Sequence, residues 1–307
     1  MKKRFLSVIM AIAMLLSVQL VAGAATWTSI PSRDAFSCNY SVTNSTGSYV
    51  IGDNTIYTYT GGSGSGFTSI PYNSNFTGKK VFGGEDAGFY YLNGTNIYKA
   101  TYSATTSSWT DTLYTSFNGP FSGSSYYSYS TMYYSNTQGL IICFGSYTFK
   151  YKNGTFTTYT GSTSVVTNDN CKLMYVSSGT TNTGLYLYSG SKLYYFNSNN
   201  VWAQVYAWNG PTGTYGATAN STVCDGTNIY MIGGKSIIPG TAVVYSTSIR
   251  KYSPSTGTTS TCTTTLPTNE GSYGATCFFN SSNYLTVLGG EKVSTGYFGH
   301  ILNGTLY

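Results

Sequence analysis

Few residues of this chain could do chemistry. Its 307 residues contain nine Asp and Glu, 15 Lys and Arg and a single histidine, His300, so charged residues make up only 8%. One histidine without a nucleophile motif beside it argues against a Ser/His/Asp triad, and it cannot supply a pair of histidine metal ligands. Carboxylates next to aromatic rings are what remains, either as acid–base catalysts or as a surface that binds sugars.

Nine residues form the candidate ligand site because they fall in predicted loops that share one face of the fold. Aromatic faces stack on the apolar C–H faces of sugars, and carboxylates accept hydrogen bonds from hydroxyl groups. Tyr215 and Tyr273 occupy matching places in two Tyr-Gly-Ala-Thr repeats, and Arg33 or Lys235 would hold an acidic group. The candidates are Arg33, Asp34, Asp53, Trp208, Tyr215, Lys235, Glu270, Tyr273 and Glu291. The alternative is that they are ordinary turn residues on the solvent-exposed rim of the fold and bind no ligand.

The elements that position these residues recur along the chain. Six short runs rich in Tyr and aliphatic residues each end in a glycine, at intervals of roughly 40 to 50 residues, which is typical of a β-propeller blade. The six glycines are Gly52, Gly94, Gly145, Gly190, Gly233 and Gly289. Further strands flank each run, with Asn-Gly and Ser-Gly turns between them. Segments 216–219 and 274–277 are expected to open the last two units.

The predicted fold is therefore all-β, a six-bladed β-propeller of four-stranded antiparallel blades. The blades are expected at 32–71, 72–115, 116–161, 162–208, 209–267 and 268–307. Thr-Ser-Ile-Pro at 28–31 repeats Thr-Ser-Ile-Pro at 68–71, so we expect 26–31 to complete the last blade and close the ring. We call the face that carries the connections between blades and the turns between second and third strands the crossover face. Glu85, Asp86, Asp169 and Asp225 are expected on the opposite face.

Blades 5 and 6 resemble kelch repeats. The resemblance rests on Gly233-Gly234 and Gly289-Gly290 after predicted second strands, on 252–257 with 266–268, and on Tyr102 with Trp109 seven residues further on. Gly83-Gly84 lies one strand early for this pattern. The resemblance implies a propeller with a binding face. It implies no particular reaction, because kelch proteins include enzymes as well as adhesion and recognition modules.

The first 25 residues predict a secretory signal peptide. Lys2, Lys3 and Arg4 precede an apolar run from 5 to 21, and small residues at 22–25 suit a signal peptidase. Residues 26–307 are then a single kelch-like propeller domain, secreted and extracellular, with no membrane span after cleavage. The alternative is that the segment stays attached as an uncleaved membrane anchor. The small net positive charge that remains after removal of the signal peptide is too low and too scattered to bind nucleic acid. We expect a monomer.

The six cysteines lack the Cys-x-x-Cys spacing of a zinc site, so no metal and no cofactor is predicted. Export would allow disulfides. Cys38 with Cys277 and Cys171 with Cys224 are candidate pairs, since each pair is expected at similar places in neighbouring blades. Buried unpaired thiols are the alternative.

The leading function is a binding module for a carbohydrate or a surface protein, without catalytic residues. One alternative is a carbohydrate-active enzyme, such as a sugar isomerase or lyase, that uses carboxylates of the crossover face. The other is a structural protein of the cell envelope, which the weakly charged composition would suit.

Overall fold

The protein is all-β. The computed structural model describes residues 26–31, 40–59, 67–117, 130–159, 171–178, 182–208, 214–237, 243–267, 273–280, 283–290, 297–303 and 306. Within these ranges the helical content is one 3-10 turn, Ser74–Phe76. None of these residues belongs to a helix that is long and apolar enough to cross a membrane. The abundance of Tyr, Thr, Val and Ile favours this outcome, because these side chains suit a pleated, half-buried surface.

The first half of the described chain forms three four-stranded antiparallel sheets, which we call blades 1 to 3. They follow β1 (Thr26–Pro31), which belongs to the last blade. Blade 1 consists of β2 (Tyr40–Asn44), β3 (Gly47–Ile51), β4 (Ile56–Tyr59) and β5 (Phe67–Ile70). Blade 2 consists of β6 (Val81–Phe82), β7 (Phe89–Asn93), β8 (Asn96–Ser103) and β9 (Ser108–Ser116). Blade 3 consists of β10 (Ser130–Ser135), β11 (Gly139–Phe144), β12 (Tyr147–Lys152) and β13 (Thr155–Tyr159).

The second half forms three more four-stranded antiparallel sheets, blades 4 to 6. Blade 4 consists of β14 (Cys171–Val176), β15 (Gly184–Ser189), β16 (Lys192–Phe196) and β17 (Trp202–Ala207). Blade 5 consists of β19 (Thr222–Cys224), β20 (Ile229–Ile232), β23 (Ile249–Ser253) and β24 (Thr258–Thr261). Blade 6 consists of β25 (Thr276–Phe279), β26 (Leu285–Leu288), β27 (Tyr297–Asn303) and β1. A small separate sheet joins β18 (Thr214–Tyr215), β21 (Lys235–Ser236) and β22 (Val244–Tyr245).

The first strand of each blade lies innermost and contacts the first strands of the blades on both sides. These contacts run from β2 through β6, β10, β14, β19 and β25 and return to β2. Hydrogen bonds cross the boundaries: Ser41 Oγ donates to the Cys277 carbonyl at 3.0 Å, and the Leu173 N–H donates to Thr131 Oγ1 at 3.1 Å. Four-stranded antiparallel blades are thus arranged as in a propeller.

Hairpin turns are present at a predicted Asn-Gly pair and, one residue on from the predicted Ser-Gly pair, at Gly190-Ser191. Asn153 and Gly154 have φ of 52° and 80° and connect β12 to β13. Gly190 and Ser191 have φ of 56° and 64° and connect β15 to β16. Two consecutive positive φ values match the twist of the flanking strands, which is why short polar residues and glycine occupy these turns.

Blade 5 departs from the expected strand positions. Segment 216–219 was expected to be its first strand, but β19 starts at Thr222. A local turn intervenes: Ser221 Oγ accepts a hydrogen bond from the Thr218 N–H at 2.8 Å, and Thr222 Oγ1 donates to the Thr218 carbonyl at 2.8 Å. Side chains that bond to nearby backbone groups compete with strand pairing, which explains the shift.

The N-terminal strand completes blade 6, as the repeated Thr-Ser-Ile-Pro predicts. β1 pairs with β27 along its whole length, from Thr26 opposite Asn303 to Pro31 opposite Tyr297. Trp27 Nε1 donates to the Thr265 carbonyl at 2.7 Å, and in blade 2 the Trp109 Nε1 donates to the Pro71 carbonyl at the same distance. Both tryptophans lie on the fourth strand of a blade. Each donates to a carbonyl group just after the fourth strand of the preceding blade.

The Cys171–Cys224 disulfide is wrong, because Cys224 is a free thiol. The Cys224 Sγ lies 3.5 Å from the carbonyl oxygen of Tyr175, four residues beyond Cys171 along β14. Four residues of a strand span about 13 Å, whereas a disulfide needs Cα atoms within about 7 Å. Cys38 lies outside the described residues, so its pairing with Cys277 stays a prediction.

Candidate functional site on the crossover face

Four of the nine predicted site residues come together where blades 4, 5 and 6 meet the crossover face. Trp208 follows the last strand of blade 4, Tyr215 and Lys235 belong to the small sheet, and Tyr273 precedes blade 6. β18 pairs with β21 so that Tyr215 lies opposite Lys235. Lys235 Nζ in turn lies 4.1 Å from the centre of the Tyr273 ring. We call Trp208, Arg250, Lys235 and Tyr273 the cation–aromatic cluster.

Arg250 is the member of this cluster that the sequence did not indicate. It lies on β23, and its Cζ is 3.6 Å from the centre of the Trp208 ring. A Cβ atom added to Gly216 would come within 3.2 Å of the same ring, so the backbone packs closely against Trp208. The Trp208 ring therefore orients the guanidinium group of Arg250. Because Arg250 and the backbone at Gly216 lie against this ring, a ligand would contact the polar atoms of the pair more readily than the face of the ring.

The cluster continues toward the buried tyrosines of blade 4. The Tyr188 hydroxyl donates to the carbonyl of Ala217 in a very short hydrogen bond. Burial raises the pKa of Tyr188 above its usual range, and Tyr206 and Tyr273 lie close enough to raise it further. Burial also raises the pKa of Tyr206, and the Arg250 guanidinium partly opposes that shift. These hydroxyl groups therefore stay protonated at neutral pH, and the Tyr188 hydroxyl uses its single proton in the bond to Ala217.

Two donor atoms of the cluster are buried and bond to no other group: Trp208 Nε1 and Arg250 Nη1. Arg250 also has no carboxylate partner among the residues that the structure describes. A buried donor without an acceptor costs about 1–3 kcal/mol, and more when it is charged. An oxygen atom supplied by a ligand or by water would remove that cost, so this pair is suited to receive an acceptor.

Asp53 lies apart from the cluster, in a groove between blades 1 and 2 on the same face. The groove has a volume of about 960 Å³, and Tyr40, Tyr72, Lys79 and Lys80 also line it. The Tyr40 hydroxyl donates to the Lys79 carbonyl at 3.0 Å and accepts from the Val81 N–H at 3.1 Å. Tyr40 is thereby fixed in the wall of the groove.

Four predicted site residues lie outside the described residues, so their part in the site stays a prediction. They are Arg33, Asp34, Glu270 and Glu291. Segments 32–39, 268–272 and 291–296 contain them. Among the described residues no group of three His, Cys, Asp or Glu side chains could hold a metal ion.

The carboxylates expected on the opposite face serve local structure where the structure describes them. Glu85 Oε2 accepts from Ser135 Oγ at 3.0 Å and from the Asn136 N–H at 2.7 Å. Asp86 pairs with Lys99 Nζ at 2.7 Å. Asp225 accepts from the Thr227 and Asn228 N–H groups and from the Tyr230 hydroxyl. Asp169 lies outside the described residues.

Comparison with known proteins supports the fold. No protein family and no curated protein matches the sequence. The structure of YjhT is similar with a TM-score of 0.56 and 13% identity, over 89% of this chain and 95% of that one. A carbohydrate-active enzyme of family AA12 from Trichoderma reesei aligns with a TM-score of 0.47 and 13% identity, over 92% of this chain and 97% of that one. An extracellular domain from B. thetaiotaomicron aligns with a TM-score of 0.45 and 11% identity, over 90% of this chain and 39% of that one. The similarity to YjhT shows the propeller-type fold, and at these identities it shows the fold alone.

Proposed function

We propose that this chain is a secreted, closed six-bladed propeller of the kelch type that binds a carbohydrate on its crossover face. The observation that carries the proposal is the stacked pair of Arg250 and Trp208, which holds two buried donors without an acceptor. Sugars present many acceptor oxygens on a rigid ring, and such a ring can meet several fixed donors at once.

The rest of the cluster suits the same ligand class. Tyr273 supplies an aromatic ring next to Lys235 Nζ, so an apolar sugar face and a polar substituent would find partners side by side. Behind this surface lie the buried Tyr188 and the half-buried Tyr206, whose hydroxyl groups stay protonated. Asp34, Glu270 and Glu291 are proposed to accept hydrogen bonds from sugar hydroxyl groups.

The secreted and kelch-type parts of the proposal rest on sequence features. Residues 1–25 have the charge, the apolar run and the small residues of a signal peptide. Gly233-Gly234 and Gly289-Gly290 directly follow the second strands β20 and β26, with φ values of 73°, 130°, 65° and 105°. Such values favour glycine, which accounts for the double glycine of the kelch pattern at this place.

A glycan array tests the proposed function with residues 26–307 and two variants. Arg250→Met removes a charge-assisted donor, and Tyr273→Ala removes the ring. Each should weaken the binding of a recognised glycan by about 1–3 kcal/mol, or roughly ten- to a hundredfold. Arg250→Met should leave the melting temperature unchanged or raise it, because the variant no longer buries an unpaired donor.

Two controls decide the outcome. Lys251→Met changes the next cation on the same strand, and Tyr102→Ala removes a half-buried ring on blade 2; neither should change glycan binding. Equal effects of cluster and control variants, or recognition of a protein ligand and of no glycan, would refute the proposal. Conversion of a bound glycan into a product would instead establish the enzyme alternative.

A further inference from the structure

A second cavity lies on the axis of the ring, away from the cation–aromatic cluster. Inner strands of every blade line it, and its volume is about 380 Å³. That volume is within the range of small-molecule sites. We call this cavity the central channel.

The described lining of the central channel contains two lysines, Lys80 and Lys172, and no carboxylate. The side chain of Lys172 makes no hydrogen bond and no ion pair with any residue that the structure describes. It keeps some exposed area because it borders the channel. Burial nevertheless lowers the pKa of its ammonium group to about 8, with the Cys277 and Cys224 side chains as neighbours that oppose the shift. An enclosed cation without a counter-charge is costly, and a bound anion would relieve that cost.

Tyr133 is a second hydrogen-bond donor in the lining of the central channel. The hydroxyl group of Tyr133 donates to no described residue, and its ring stacks on Tyr175 with the centroids 6.1 Å apart. Tyr133 and Lys172 lie on the neighbouring inner strands β10 and β14, and both line the central channel. Burial raises the pKa of the Cys224 thiol to about 12, which keeps it uncharged.

Glu85, the described carboxylate that acts on Tyr133, does not neutralise this site. Glu85 is close enough to raise the pKa of Tyr133. Its Oε2, however, is held by Ser135 and Asn136 at the end of blade 3, and Glu85 is not part of the channel lining. Among the described residues, Lys172 thus has cysteine side chains, Cys224 and Cys277, as its electrostatic neighbours, and the channel lining contains no acid.

We propose that the central channel is a binding site for a small oxyanion, a carboxylate or a phosphate, held by the Lys172 ammonium and the Tyr133 hydroxyl. Both groups donate and neither accepts from a neighbour, which matches the acceptor oxygens of an anion. Lys80 adds positive charge to the same channel. This site is separate from the proposed carbohydrate site and does not depend on it.

Reductive methylation with formaldehyde and dimethylamine–borane as the reductant tests the proposal, since formaldehyde is small and uncharged and only the unprotonated amine of a lysine adds to it. The rate of modification of each lysine is measured by peptide mass spectrometry in inorganic phosphate and, separately, in acetate, with ionic strength held constant by sodium chloride. Modification of Lys172 should become about threefold slower when about two thirds of the sites are occupied. Modification of the exposed Lys192 should not change. The arm with the stronger protection identifies phosphate or carboxylate as the better ligand.

A variant separates anion binding from mere burial of the amine. Tyr133→Phe keeps the ring and its stacking but lacks the hydroxyl, so a higher anion concentration should be needed to protect Lys172. Protection that is identical for Lys172 and Lys192, or a Lys172 rate that neither phosphate nor acetate changes, would overturn the proposal. Neither measurement depends on glycan binding.

Discussion

At the scale of single residues, four of the five described acids, Glu85, Asp86, Asp111 and Asp225, bind neighbouring backbone or side-chain groups. Asp111 accepts from the Asn73 amide at 3.0 Å and from the Tyr91 hydroxyl at 2.7 Å, which fixes the approach of blade 1 to blade 2. Asp225 fixes the turn between β19 and β20 in the same way. These carboxylates are therefore already engaged in hydrogen bonds that hold the local structure together.

Lys172 predicts an unusual dependence of stability on pH. Its pKa is about 8 in the folded protein and about 10.4 in an unfolded chain, so the unfolded state holds more protons between these values. The free energy of unfolding should therefore rise from about pH 8 to pH 10.4, by at most about 3 kcal/mol from this group. Lys172→Met should remove that rise and be more stable than the wild type at pH 7.

Urea unfolding of both proteins at pH 7, 8.5 and 9.5 measures this effect. The neighbouring titratable groups, Cys224, Cys277, Tyr133 and Lys80, are present in both proteins, so the difference between the two curves isolates Lys172. A constant difference in unfolding free energy across this pH range would show that Lys172 titrates normally.

At the scale of elements, the segment after β6 joins three blades through its backbone. The Gly84 N–H donates to the Thr43 carbonyl of blade 1 at 3.1 Å, and the Tyr134 N–H of blade 3 donates to the Gly83 carbonyl at 3.2 Å. A Cβ atom added to Gly83 would lie 2.0 Å from the Thr43 oxygen, and one added to Gly84 would lie 2.2 Å from the Tyr134 oxygen. This pair of glycines therefore serves close approach between blades, which explains why it lies one strand early for the kelch pattern.

Gly84→Ala should be strongly destabilising because the obstructing atom belongs to the backbone of another blade. We expect a loss of about 3 kcal/mol or more, measured by urea unfolding. Gly94→Ala is the matched control: a Cβ there meets no atom within 4 Å, but the residue has φ of 62°. It should cost only the strain of that conformation, about 1 kcal/mol. Similar costs for the two variants would contradict the steric explanation.

At the scale of the whole molecule, the first and last described strands lie side by side. β1 is the outermost strand of blade 6, and Trp27 packs against the core that includes Leu302, Cys262 and Leu266. The chain thus returns to its starting point, and the pairing of β1 with β27 adds a contact between segments that are far apart in sequence. Such contacts stabilise a ring, because opening it at this place requires a whole strand to dissociate.

Deletion of residues 26–31 should lower the melting temperature and promote aggregation. The deletion removes the Trp27 hydrogen bond to Thr265 and exposes the backbone edge of β27. Calorimetry and size-exclusion chromatography of residues 26–307 and 32–307 make the comparison. Unchanged melting with monomeric elution of the shorter protein would show that β1 has no part in closing the ring.

Local patterns were sufficient to predict the class of fold and most of the strands. The recurring glycines at 52, 94, 145, 190, 233 and 289 lie at or just after the ends of second strands. The shared Thr-Ser-Ile-Pro correctly assigned β1 to an outermost strand, because equivalent strands face equivalent neighbours. These features could be predicted from the sequence because turn formation and strand propensity depend on residues that are close in sequence. The later start of the first strand of blade 5 could not be predicted, because it depends on side-chain hydrogen bonds to the backbone of Thr218.

The sequence by itself determined an all-β chain of repeated four-stranded units and placed Trp208, Tyr215, Lys235 and Tyr273 in loops of one face. Only the tertiary structure decided that Arg250, a residue within a strand, stacks on Trp208. Likewise, the sequence shows Lys172 as one residue of an ordinary strand, whereas the inner strands of all blades enclose it with no counter-charge among the described residues. The physical reason is the range of the interactions: propensities and turns are local, whereas burial and the pairing of charges depend on residues far apart in sequence.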